Sequence, residues 1–117
     1  MTPEQIWEEA EAAGLASARA CVPEPMIVTS RTATEQKTYY EPQGWCGFAS
    51  IRFAGNTAFG RWAKRVGHAT PASYGGGLSV HVREGGQSYE IKCAYARAFA
   101  GVLNENGIKA RVEAFLD

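Results

Sequence analysis

The chain has 117 residues, 45% of them hydrophobic and 21% charged, with 12 cations balancing 12 anions. That length makes one domain with room for a real core, and no apolar run of about 18 residues marks a transmembrane span. Zero net charge argues against a DNA mimic, which would be strongly acidic, and against an obligate nucleic-acid binder, which is usually basic.

The charge is nonetheless segregated, with three cations and seven anions in residues 1–50 against nine and five in residues 51–117. Glu4, Glu8, Glu9 and Glu11 stand where a signal peptide would need basic residues and then an apolar stretch. Cys21, Cys46 and Cys93 are an odd number. Together these features predict reduced thiols in a cytoplasmic protein.

Thr2, Pro3 and Gln5 form a capping box with proline at the first helical position, and Gly14 offers a stop, so the first helix is expected over residues 3–13. Its apolar stripe is Ile6, Trp7, Ala10 and Ala13. After an Ala-rich stretch, Pro23 and Pro25 lead into a short strand, Met26–Thr29. Residues 30–44 read as a polar loop carrying Tyr39 and Tyr40. A second strand is expected over residues 45–54, with Gly47, Ala49, Ile51 and Phe53 on one side and Cys46, Phe48, Ser50 and Arg52 on the other.

Gly55 and Asn56 turn the chain into a helix, Thr57 to Val66, which buries Phe59, Trp62, Ala63 and Val66 and presents Arg61, Lys64 and Arg65 outward. A loop with Pro71, Tyr74 and Gly75–Gly77 precedes a third strand, Leu78–Arg83. Ser88 then caps a helix whose stripe is Ile91, Ala94, Tyr95, Ala98, Phe99, Val102 and Leu103, and Gly107 ends it. Directly afterwards the period switches to two over Ile108–Phe115. The order α-β-β-α-β-α-β predicts a single small α+β domain: a four-stranded, largely antiparallel sheet of ferredoxin-like character, two helices on one face, and an extra N-terminal helix.

If the helices cover Ile51, Phe53, Leu78, Val80, Val82, Ile108, Ala110 and Val112, alternation puts Phe48, Arg52, His81, Arg83, Lys109, Arg111 and Phe115 on the other face, with Glu113 as its one acid. Cations with aromatic platforms are what single-stranded nucleic acid uses, which makes this face a candidate site. The competing expectation is that the first helix lies across that face through Ile6 and Trp7, its acids pairing with the cations. A sheet face or edge left open would also permit a homodimer.

Gln43-Gly44-Trp45-Cys46-Gly47-Phe48 resembles the segment around a papain-type nucleophile, so Cys46 with His81 is a candidate hydrolase pair. Against it, the residues after Cys46 alternate like a strand rather than opening a helix, and the only aspartate is Asp117. Cys46, His68, His81 and Cys93 lack metal-ligand spacing, and the glycine clusters lack a Walker lysine or a dinucleotide fingerprint, so no cofactor or metal is expected. Tyr39, Tyr40, Trp45 and Tyr74 are aromatics concentrated in loops, which typify protein interaction surfaces. With Arg61, Lys64 and Arg65 they form the expected partner surface.

Trp45-Cys46-Gly47-Phe48-Ala49, Tyr74-Gly75-Gly76-Gly77, Gly86-Gln87-Ser88 and the stretch Ala94 to Ala100 running through Asn106-Gly107-Ile108 to Leu116-Asp117 resemble small uncharacterised proteins encoded by tailed phages and prophages. The resemblance covers residues 45–117. It implies life in the cytoplasm of an infected bacterium and carries over no functional residues. Small phage accessory proteins commonly bind a host or phage macromolecule, as anti-CRISPR proteins do. The leading expectation is therefore a stoichiometric protein binder, then a single-stranded nucleic-acid binder, then a cysteine hydrolase.

Overall fold

The computed structural model describes the backbone of residues 1–23, 26–31, 36–41, 46–86 and 88–116, and the side chains of these residues outside 26–41. The elements are α1 (Pro3–Ala20), β1 (Met26–Arg31), β2 (Gln36–Glu41), β3 (Gly47–Phe53), α2 (Ala58–Arg65), β4 (Thr70–Pro71), β5 (Leu78–His81), α3 (Tyr89–Glu105) and β6 (Ala110–Leu116). The α+β architecture with an N-terminal helix is as the sequence predicts.

α1 opens on the expected capping box: the Gln5 backbone N–H donates to Thr2 Oγ1 and the Thr2 N–H donates to Gln5 Oε1. It does not stop at Gly14 but continues to Ala20, because Gly14 serves contact rather than termination. A Cβ there would lie 2.8 Å from the Tyr95 ring, so glycine is what lets α1 approach α3 this closely. α1 packs mainly on α3 and touches α2. Trp7 anchors that junction. Its ring meets Phe99 edge-on at 4.9 Å and stacks on His68 at 4.5 Å, while its indole N–H donates to Glu11.

β3, β5 and β6 come from the predicted segments, and all pairings are antiparallel in the order β4-β5-β3-β6. β5 and β6 flank β3 and are joined by α3, a split βαβ unit. Ile51, Phe99 and Leu103 are fully buried where α3 lies on β3, and Phe53 meets Phe59 of α2 at 5.3 Å. The predicted strand at 26–29 is real, yet it is not the fourth strand of this sheet. It pairs with β2 in a separate hairpin running from Met26↔Glu41 to Arg31↔Gln36. β2 lies inside the segment expected to be loop; Thr38, Tyr39 and Tyr40 are strand formers in a setting otherwise rich in polar residues. The fourth place goes to β4, two residues long. Among the described residues, no helix is long and apolar enough to cross a membrane.

Candidate functional site: the open face of the sheet

Alternation along β3 sends Ala49, Ile51 and Phe53 into the core and Phe48, Ser50 and Arg52 to the opposite face. α1 does not cover that face, contrary to the competing expectation; its partners are the other helices, because its stripe of Ile6, Trp7 and Ala10 belongs to the core cluster around Phe99. Among the described residues no helix covers the face across β3, β5 and β6, and its two ends differ.

At one end Phe48 and Phe115 sit opposite each other in the β3–β6 register, 45% and 54% exposed, with Leu116 beyond them at 58%. The His81 ring lies 6.2 Å from Phe48, and the ammonium of Lys92, itself buried, sits 5.4 Å from the centre of the Phe48 ring. Phe48 is thus braced although uncovered. Phe48, His81 and Phe115 line a groove of about 500 Å³ together with Ser50, Tyr74 and Glu113.

At the other end the loop 72–77 is fastened to the sheet through Arg52. One guanidinium nitrogen, Nη1, donates to both Glu113 oxygens at 2.9 Å; the second, Nη2, donates to the carbonyls of Tyr74 and Gly76 at 2.6 and 2.7 Å. The Tyr74 ring covers the guanidinium at 5.2 Å and its hydroxyl donates to Glu113 Oε2 at 3.0 Å. Arg52 is left 5% exposed. Burial pushes the Glu113 carboxyl up, but hydrogen bonds from Tyr74 and Arg52 and the charges of Arg52 and Arg111 outweigh it and hold the group below the usual range. The same hydrogen bond to Glu113, then burial, raise the Tyr74 phenol, against the opposing pull of the two arginines.

Arg52 therefore changes role: it is a buried fastener, not a solvent-facing contact for nucleic acid. Arg111, directly opposite Arg52 in register, shares Glu113 at 3.3 Å and remains 65% exposed, and Lys109, Arg83 and His81 are exposed as expected. Arg61 donates to the Asn56 carbonyl, while Lys64 and Arg65 stand exposed on α2. Of the four aromatics expected to make a partner surface, Tyr74 is 59% exposed yet tied to Glu113; the side chains of Tyr39 and Tyr40, and Trp45 altogether, lie outside the described residues.

Cys46 and His81 are not brought together. Cys46 forms a backbone bridge with Ser88, whereas His81 pairs with Ser50, four residues along, or about 13 Å at a strand's rise of ~3.3 Å per residue. The Tyr74–Arg52–Glu113 cluster escaped sequence reasoning. Its one signal was Glu113, a lone acid among four cations of the same alternation. Comparison with protein-family models, with curated proteins and with solved structures finds no match to this chain.

Proposed function

We propose that this is an accessory binding protein of phage or prophage origin, acting by stoichiometric contact with a protein partner in the host cell, and that the open sheet face makes the contact. Inhibition of a host defence complex, such as a CRISPR effector, is the use we assign to that contact. The observation that carries the reading is the pairing of Phe48 and Phe115, both about half exposed, on one end of a sheet face that no helix crosses among the described residues. Contiguous aromatic and apolar surface with a polar rim is what protein interfaces bury at their centres.

The test is affinity capture from bacterial lysate with the wild-type chain, the Phe48→Ala/Phe115→Ala variant and a Lys64→Ala/Arg65→Ala control. The reading expects one partner at about equal molar ratio, retained by the control and lost by the aromatic variant. Equal recovery by all three, or recovery by none, overturns it. A second reading, binding of single-stranded nucleic acid, draws on Lys109 and Arg111 at the edge of the same face. It requires oligonucleotide affinity that falls steeply with added salt.

A further inference from the structure

Beside the fastened loop lies a second concavity of about 370 Å³, walled by Arg52, Gly75, Gly76, Gly77, Lys109 and Arg111. Three of these are cations, and no carboxylate lines it among the described residues. Glu113, which both arginines share, is their only acidic partner among the described residues, so the group keeps an excess of positive charge. Arg52 is 5% exposed, both its terminal nitrogens are engaged, and its Nε–H is sealed from solvent, so it contributes positive charge to the cleft wall, while Lys109 and Arg111, both exposed, supply the donors a ligand can reach.

The glycines complete the argument. Gly75, Gly76 and Gly77 have φ of 74°, 71° and 76°, a left-handed run that side chains rarely tolerate. A Cβ on Gly75 would stand 3.3 Å from Arg52 Nη2 and 4.0 Å from Arg111 Nη2, in the space a ligand oxygen would use. The cleft wall is thus bare backbone next to the exposed Arg111 guanidinium, whose planar donor set matches phosphate oxygens.

We propose that this cleft binds the phosphate or diphosphate group of a small phosphorylated molecule. Its volume falls at the lower end of small-ligand pockets, about 300–1,000 Å³, which fits a nucleotide-sized compound better than a bare ion. The site does not depend on the partner-contact reading: it uses the opposite end of the sheet face and a different ligand class.

The experiment is an amide NMR titration at constant ionic strength with sodium pyrophosphate, ADP and a 5′-phosphorylated oligonucleotide, and with sodium chloride as control. The proposal expects saturable shifts centred on Gly75, Gly76 and Gly77 with pyrophosphate and ADP. It also expects about tenfold weaker binding by Lys109→Gln/Arg111→Gln, and unchanged binding by Lys64→Gln/Arg65→Gln on α2. Lys109 and Arg111 are exposed, and Lys109→Gln alone, expected to weaken binding about threefold, serves if the double variant fails to fold. Shifts that do not saturate, shifts equal in all variants, or an oligonucleotide bound more than tenfold tighter than ADP would each overturn it.

Discussion

Phe48 and Phe115 face each other across β3 and β6 with about half of each ring surface in water, while four residues along the same strand Arg52 is almost fully buried. Both ends of this face follow from one alternation, and the hydrophobic residue is the exposed one. The inversion comes from the loop 72–77, which spends two carbonyls and an aromatic ring on a single guanidinium and a phenol on its carboxylate partner. The strand pattern decides which face a side chain takes. Whether that side chain is available to a partner is decided by a segment more than twenty residues away.

The sharpest way to break the contrast is Arg52→Met. It removes the donor for two carbonyls and leaves the Glu113 carboxylate without its closest cation, so chemical denaturation should register a loss of about 3 kcal/mol. Amide exchange in residues 72–77 should accelerate with it. Next comes acid. Because the folded-state pKa of Glu113 is depressed, its contribution to stability is complete above the ordinary glutamate range and fades as pH falls through the lowered folded value. Denaturation midpoints of the wild type should therefore drop on acidification by more than those of Glu113→Gln, which has no such carboxylate to protonate; parallel midpoints would remove Glu113 from the fastening.

Tyr74→Phe keeps the ring over Arg52 but deletes the hydroxyl donated to Glu113, so it should loosen the loop less than Arg52→Met and raise the Glu113 pKa, observable by carboxyl-carbon NMR. The smallest stability effect belongs to the aromatic end. Phe48→Ser/Phe115→Ser should leave the denaturation midpoint within about 1 kcal/mol of wild type while lowering surface hydrophobicity measured by dye binding. A large destabilisation there would show that these rings belong to the core instead of awaiting a partner.

The ends of α3 were legible to the residue, because Ser88 and Gly107 each signal locally. β6, by contrast, begins two residues after the expected Ile108, and the buried stripe of α3 takes in Lys92, Cys93, Ala96 and Ala100 in place of Ile91, Ala94 and Ala98. α1 was read short, since Gly14 looks like a stop until Tyr95 is seen against it. β4 spans two residues and can hold no period, and β2 hid among polar neighbours. At the site, the sequence distinguished the two faces but not a solvated cation from an entombed one. Arg52, Arg83, Lys109 and Arg111 share a chemistry and a pattern; among the described residues only the first donates hydrogen bonds to the loop 72–77.

The split βαβ unit also sets a schedule for assembly. β3 lies between two strands made after it, and its pairing with β6 joins Gly47 to Leu116. On the ribosome, Ala49, Ile51 and Phe53 must wait with an unsatisfied backbone edge until residues 110–116 have emerged, the condition under which nascent chains recruit chaperones or stick to one another.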